Sequence, residues 1–344
     1  MEITNRADLD FGSLPFGYMK TDVNVRYTWR DGKWDAGVET DSEILPLHIA
    51  ATCLHYGQAA FEGLKVYEAQ DGRILAFRLD ENAKRMQHSA DLLMMQSPPT
   101  DLFREAVHRV VRANLRFVPP HGSGAALYVR PLLIGTGPEI GVKPAKEYMF
   151  LVLVTPVGPY FKAGFSPTKL VVVEDMDRAA PLGVGTAKAG GNYAAAMRGT
   201  VRAKTEGFGE ALYLDAKEHK YIDETGASNF FGITPDDGYV TPQSPSILRS
   251  ITNLSLRTLA DDLGYRVEER PVPLEELDSF VECGACGTAA VITPIESISV
   301  RGKEIVYLSD GKPGPHCTKL YDALTALQHG DAEDKFGWTE RIEV

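Results

Sequence analysis

Gly183-Val-Gly-Thr-Ala-Lys188-Ala-Gly-Gly-Asn192-Tyr193-Ala-Ala-Ala196 sets one cation in a run of small residues, and Lys188 is the only charged residue between Arg178 and Arg198. An ammonium taken out of water must find an anion, shed its proton or form a covalent bond, because desolvation disfavours the charged form. The free amine that results is the nucleophile a Schiff-base lysine needs. The flanking glycines and alanines leave room for a flat ring close to the backbone. Two phosphate motifs fail on residue identity. A P-loop requires Gly-Lys-[Ser/Thr], whereas Ala187 and Ala189 flank Lys188, and a dinucleotide fingerprint needs glycine where Lys188 stands. A solvated loop lysine is the plain alternative.

Working outward, 344 residues predict two domains. A hydrophobic content of 44% with 24% charged residues fits a globular chain able to bury a core in each. The net charge of -11 opposes a broad nucleic-acid surface. No stretch approaches the roughly 20 apolar residues of a membrane span. The N-terminal Met-Glu-Ile-Thr-Asn-Arg-Ala-Asp lacks a basic region followed by an apolar one, so a cytoplasmic protein is expected. Cys283-Gly-Ala-Cys286 has C-x-x-C spacing, but neither a second such pair nor an H-x3-5-H pair exists to complete a zinc site, so no metal is expected. A tight Gly-rich turn is the expectation there, with a redox pair as the alternative.

Residues 22–40 read as a hairpin about Asp31-Gly32, and a second hairpin joins Val66-Tyr67 to Ile74–Phe77 about Asp71-Gly72. Asp80 is placed to cap a helix over 81–95, and Thr100 one that carries Phe103, Val107, Val110 and Val111 on a single face. Strands are predicted at 125–134 and 148–154, then at 170–173, 210–214, 221–224, 229–233 and 289–292, with helices near 191–206, 252–264 and 314–328. Strands outnumber helices and several are joined as hairpins, so continuous βαβ winding is excluded in favour of an α+β, mixed α/β architecture. The Pro- and Gly-dense stretch before Thr168 divides the chain into a smaller domain over 1–158, a linker over 159–168 and a larger domain over 169–344 that carries Lys188.

A pyridoxal-phosphate reading of Lys188 demands an acid for the ring nitrogen, a partner for the phenolic oxygen and a cradle for the phosphate. Glu224 ends Tyr221-Ile-Asp-Glu224 beside a turn and is the candidate acid; Asp223 is expected on the opposite face, in solvent. The helix starting near Thr252 offers free N–H groups and a positive dipole end. Gly287-Thr288-Ala289 adds a second turn, and Arg85 a guanidinium. Phe61, Tyr56, Tyr128 and Tyr160 supply aromatic surface for an apolar side chain. Tyr128 and Arg130 share one strand face, which sets a cation beside aromatic surface. Core packing is the plain alternative for these aromatics.

Five blocks then stand in one order: His55-Tyr56-Gly-Gln-Ala-Ala-Phe61-Glu62-Gly63-Leu-Lys65, Leu127-Tyr128-Val-Arg130-Pro131, Ala187-Lys188-Ala-Gly-Gly-Asn192-Tyr193, Glu224-Thr-Gly-Ala-Ser-Asn229 and Gly287-Thr288-Ala289. Over nearly its whole length the chain resembles the branched-chain amino acid aminotransferases. The resemblance implies the two-domain fold-type IV architecture of pyridoxal-phosphate enzymes, like that of D-amino acid aminotransferase. It further implies transfer of the amino group of L-leucine, L-isoleucine or L-valine to 2-oxoglutarate. Lys188 would hold pyridoxal 5'-phosphate covalently and move the proton between Cα and the cofactor. Tyr193 would bond the phenolic oxygen and Glu224 the ring nitrogen. Arg85 and the backbone at Ile251, Thr252 and Thr288 would hold the phosphate. Thr288 and Ala289 would receive the substrate carboxylate. Phe11, in Phe11-Gly12, resembles a pocket-lining residue.

Likeness also implies a homodimer, with Gly135-Thr-Gly-Pro-Glu-Ile-Gly-Val142 matching a loop that reaches the neighbouring subunit's pocket. Some relatives carry a redox C-x-x-C after Gly-Thr-Ala, where this chain has Ala290 and Thr293, so that switch is expected to be absent. Ala227 and Cys286 also depart from the family's usual hydroxyl residues. Two alternatives stay open at this point. One is a D-amino-acid transaminase or aminodeoxychorismate lyase of the same fold. The other is a non-catalytic binder of phosphorylated small molecules that uses Lys188 as an anion contact.

Overall fold

The computed structural model describes residues 3, 5–160 and 164–344. They form two compact units. The first takes the described residues up to Tyr160, together with Ala187–Gly190 and Ala326–Val344; the second takes those up to Thr186, and Gly191–Thr325. This differs from the expected division into 1–158 and 169–344. Lys188 groups with the first unit, as does the C-terminal segment, because each adds a strand or bridge to that unit's sheet. Of the expected linker 159–168, Thr168 already begins a strand, and residues 161–163 lie outside the described residues.

In the first unit β1 (Asn24–Arg30) turns through Asp31 and Gly32, at φ +52 and +82, into β2 (Lys33–Trp34). Two left-handed residues in a row are what a two-residue type I′ hairpin demands. β3 (Val38–Thr40) pairs with the other end of β1. After a single turn, α1 (Thr52–His55), come β4 (Ala59–Phe61), β5 (Leu64–Glu68) and β6 (Ile74–Phe77). Helices α2 (Leu79–Leu92) and α3 (Thr100–Ala113) precede the long strands β7 (Ala126–Gly135) and β8 (Tyr148–Val157). The sheet is antiparallel, ordered C-terminal strand Thr339–Ile342, β6, β5, β7, β8, β1, β2, with β4 added beside β7.

Phe103, Ala106, Val107, Val110 and Val111 recur at helical spacing and form the buried stripe of α3. Phe103 stacks on Phe150 of β8 at 5.6 Å between centroids. Neither helix uses the expected cap. α2 starts at Leu79, which is buried, so Asp80 falls inside its first turn, where it still favours the positive dipole end. Thr100 is the first helical residue behind Pro99, with no side-chain cap.

The second unit comprises β9 (Thr168–Val173), α4 (Gly190–Thr205), β10 (Glu210–Leu214), β11 (Ile222–Thr225), β12 (Asn229–Ile233), β13 (Gly238–Pro242), α5 (Ile251–Asp262), β14 (Arg266–Arg270), β15 (Glu282–Gly287), β16 (Val291–Val300), β17 (Lys303–Val306) and α6 (Pro315–His329). Gly190 and the last turn of α6 belong to the first unit. Strands β11, β10, β9, β16, β15 and β12 follow one another, and the pair Glu224↔Asn229 joins β12 back to β11. The six strands therefore close on themselves, and Glu224 sits where the ring closes.

The expected strand 289–292 is instead a turn over 288–290 that leads into β16. The C-x-x-C segment is no turn either: it is β15, fully buried from Glu282 to Cys286. Residues three apart on a strand point to opposite faces, so Cys283 and Cys286 cannot bond to each other. Burial pushes both thiols up.

Candidate active site

Lys188 is placed by the edge of β4. Ala189 forms a β-bridge with Ala60, the Phe61 N–H donates to the Lys188 carbonyl at 3.1 Å, and the Lys188 N–H donates to Ser89 Oγ of α2 at 2.9 Å. Ala187 and Ala189 are buried on either side, so the lysine backbone is held like a short strand while its side chain stays half-buried. Lys188 Nζ lies 4.8 Å from the centroid of the Phe61 ring. The Arg130 guanidinium lies 4.9 Å from that same centroid and 5.2 Å from that of Tyr128. Two cations thus share one aromatic ring, each attracted by its quadrupole.

The β7 alternation places Tyr128 and Arg130 together as expected, and Arg130 Nη2 donates to Tyr128 Oη at 3.0 Å. Arg130 Nε is buried and has no hydrogen-bond partner among the described residues. Such a group is costly to leave unsatisfied and marks a place where an anion is wanted. Tyr128 fits because Gly63 lies beside it: a Cβ at Gly63 would stand 2.0 Å from Tyr128 Oη. Phe16, which sequence reasoning missed, meets Tyr128 edge-on at 5.1 Å and Tyr160 at 6.4 Å. Phe11 is buried in a 3-10 turn.

Tyr56 donates its hydroxyl to the Ile140 carbonyl, pinning the 135–142 loop, which also bonds back through Ala51↔Pro138. At the tip of that loop Ile140 and Val142 are 74% and 87% exposed. Arg85 is held by an acid of the block from His55 to Lys65. Its Nε and Nη2 each donate to fully buried Glu62 at 2.7 Å, and Asn82 Nδ2 donates to the same carboxylate at 2.7 Å. The only signal for Glu62 was that it is the single acid in the block from His55 to Lys65.

In the second unit, Glu224 is 3% exposed. Its Oε1 accepts from the Leu248 N–H at 2.8 Å and pairs with Arg178 Nη2 at 2.8 Å, and its Oε2 accepts from Asn229 Nδ2 at 2.8 Å. Desolvation pushes this carboxyl up to about 7, against the pull of Arg178 and of the Leu248 N–H. Asn229 Oδ1 in turn accepts from the Ser250 N–H and from Asn253 Nδ2, each at 3.4 Å. Ser250 caps α5 by accepting the Asn253 N–H, so Ile251 and Thr252 form the buried first turn of that helix. One polar network therefore runs from the acid to a helix N-terminus.

Tyr193 is half-buried on α4, next to Asn192, whose Nδ2 donates to the Val184 carbonyl at 2.7 Å. Thr288 and Ala289 occupy the turn before Val291, a β-branched residue at φ +65. That conformation is strained for valine, and strain of this kind gathers at binding turns. Asp223 corrects its expectation. It is buried rather than solvated, with Oδ2 accepting from Ser246 Oγ and Oδ1 unpartnered among the described residues, and burial raises its pKa. All four residues of β11 are buried, so both faces of this strand are covered. Among the described residues no group of three or more His, Cys, Asp or Glu side chains is placed to hold a metal ion.

The model of the class IV amino-transferase family matches residues 59–298, a span that takes in both groups of side chains. The chain belongs to the class IV aminotransferases. Among curated relatives, the branched-chain-amino-acid aminotransferase of Haemophilus influenzae is 49% identical over 342 residues, covering 98% of this chain and 99% of that one. That of Helicobacter pylori is 45% identical over 336 residues, covering 97% of this chain and 98% of that one. The solved branched-chain amino acid aminotransferase of Escherichia coli superposes with a TM-score of 0.77 at 29% identity, covering 94% of this chain and all of that one. Class IV aminotransferases work with pyridoxal phosphate, and the donor set of the second unit fits such a group. A buried, hydrogen-bonded acid suits a ring nitrogen, and the N–H groups of a capped helix suit a phosphate.

Proposed function

We propose that the protein is a branched-chain amino acid aminotransferase, reversibly passing the amino group of L-leucine, L-isoleucine or L-valine to 2-oxoglutarate to give the 2-oxo acid and L-glutamate. The observation that carries this reading is the Phe61 ring, from which Lys188 Nζ and the Arg130 guanidinium lie at 4.8 and 4.9 Å. A transaminase must admit an apolar side chain and a charged one by turns. Phe61 and Tyr128 supply the apolar wall, and Arg130, with an unsatisfied Nε, supplies the counter-charge that the second carboxylate of glutamate needs.

When bound, pyridoxal phosphate supplies an aldehyde for the amine and a ring that withdraws electrons from Cα. Arg85 and the backbone of Ile251, Thr252 and Thr288 would hold its phosphate, Tyr193 would bond its phenolic oxygen, and Glu224 would keep its ring nitrogen protonated. Lys188 Nζ would move the proton between the substrate Cα and the cofactor, in one direction in the first half-reaction and in the reverse direction in the second. The Thr288 and Ala289 backbone receives the substrate carboxylate. Tyr56, Phe11, Tyr160 and Val142 border the side-chain pocket. The Gly135–Val142 loop, with Ile140 and Val142 bare to solvent, serves a homodimer in which each copy reaches toward the other. Cytoplasmic localisation agrees with four cysteines that are all free thiols.

The purified protein is expected to be yellow, and borohydride to bleach it while fixing the cofactor's mass on Lys188. Assays with 2-oxoglutarate should then show turnover of L-leucine and none of D-alanine. A colourless protein that takes up no pyridoxal phosphate defeats the reading, and turnover of D-alanine alone moves it to a D-amino-acid enzyme.

A further inference from the structure

We infer that Arg178 is a positioning residue that sets the ionisation of Glu224 and clamps the segment leading into Lys188. It lies between β9 and α4, outside every motif block, and is 5% exposed. A single nitrogen, Nη2, forms an ion pair with Glu224 Oε1 at 2.8 Å and donates to the Gly185 carbonyl at 3.2 Å and to the Ser246 carbonyl. Three pieces of chain thus meet on one guanidinium: the strand with the acid, the loop whose Leu248 N–H donates to that acid, and the glycine run three residues before Lys188. The meeting is tight. A Cβ at Gly185 would stand 2.8 Å from Ser246 Cα, so the run approaches this loop closely only because it is glycine. Asn192 holds the neighbouring Val184 carbonyl, and the segment is gripped at two successive residues.

The charge count around the acid gives Arg178 its second task. Glu224 is faced by Asp223 on its own strand, by Cys286 of β15 and by Arg178; Arg257 of α5 faces Cys286 and pairs with Glu269. Two buried carboxylates therefore share one guanidinium, and Asp223 is joined to it through Ser246, whose hydroxyl donates to the acid and whose carbonyl accepts from the arginine. Removing that cation leaves two neighbouring acids uncompensated in a low-dielectric interior, so the proton on Glu224 becomes harder to lose. A neutral Glu224 is a poor partner for a protonated ring. This inference rests on the proposed role of Glu224 and deepens it.

The test is made on full-length protein freed of cofactor. Infrared difference spectra against Glu224→Gln across pH follow the Glu224 carboxyl, and hydrogen exchange follows the amides of residues 183–186. Arg178→Met should raise the carboxyl midpoint by at least about one pH unit, or tenfold in proton affinity. It should also speed exchange at 183–186 about tenfold or more. Arg178→Lys should keep the midpoint within about half a unit while exchange still quickens, because an ammonium cannot reproduce the guanidinium geometry. A cooperatively melting Arg178→Met protein with an unchanged midpoint, or an Arg178→Lys protein with unchanged exchange, overturns the inference. Should the methionine variant fail to fold, the lysine variant alone decides. Neither readout depends on turnover, so failure of the transaminase assay would leave this result separately legible.

Discussion

The two groups of candidate site side chains are built on opposite principles. In the first unit Lys188 and Arg130 lean on aromatic rings, half-buried, with a buried but unsatisfied Nε on the arginine. In the second unit Glu224 and Arg178 are nearly sealed from water and bonded to each other, to backbone and to Asn229. Weak, non-directional attraction to a ring lets a cation leave when a reactant arrives. A desolvated ion pair with several hydrogen bonds does not move, because any displacement leaves a buried charge uncompensated. The contrast separates a region for groups that must swing or exchange from a region for a fixed field.

Lys188→Ala strikes the mobile region hardest. It should lower transamination by at least about 10³-fold, the scale of a lost proton-transfer group. Cofactor should still bind non-covalently, as seen by equilibrium dialysis and a mass spectrum without the adduct. Near-normal turnover would break the division of labour. Glu224→Gln strikes the fixed region, and single-turnover kinetics should show the Cα proton-transfer step slowed roughly 10²- to 10³-fold, because the ring loses its electron-sink character. An unaltered step would point to another ring partner.

The sealed carboxyl also makes a prediction about stability. Its value in the fold, about 7, stands above the ordinary 4.5, so the ionised form is disfavoured by folding. The stability linked to this group is fully present below pH of about 4.5 and is lost as pH rises through about 7, by roughly 3 kcal/mol at 1.36 per unit. Denaturant unfolding of the cofactor-free protein across that window should show the loss, and Glu224→Gln should flatten it. A slope unchanged by the variant removes Glu224 as its source.

The smallest effect belongs to Arg130→Met, which keeps apolar contact and removes the charge. Specificity constants for glutamate and 2-oxoglutarate should fall roughly 10- to 100-fold, the worth of a charged hydrogen bond, while leucine changes little. Equal losses on both substrates would mean that Arg130 is part of the scaffold rather than a receptor for the second carboxylate.

Legibility in sequence followed the range of the interactions. The hairpin at Asp31-Gly32 and the α3 stripe of Phe103, Val107, Val110 and Val111 were readable because turn geometry and helical spacing are local. Cys283 to Cys286 was misread as a turn because two glycines and small residues look loop-like. The strand there exists only because β12 and β16 pair with it on both sides. Lys188, Glu224, Tyr193 and the turn at Thr288 stood in recognisable blocks. Glu62, Arg178 and the burial of Asp223 did not show, since each depends on a partner distant in sequence: Arg85, Glu224 and Ser246.

What the sequence determined by itself was the chemical inventory: one isolated lysine, one acid before a turn, a tyrosine and arginine two apart on a strand, and small residues where a ring must fit. Those are properties of residue type and spacing, and they survive without coordinates. Tertiary structure alone decided which charges face each other and how dry they are. Both carboxylates of β11 are buried and Arg178 is brought to Glu224 from a segment 46 residues earlier, which no local pattern encodes. Electrostatic energies depend on separation and dielectric, and both are set by chain segments that meet only in the folded protein.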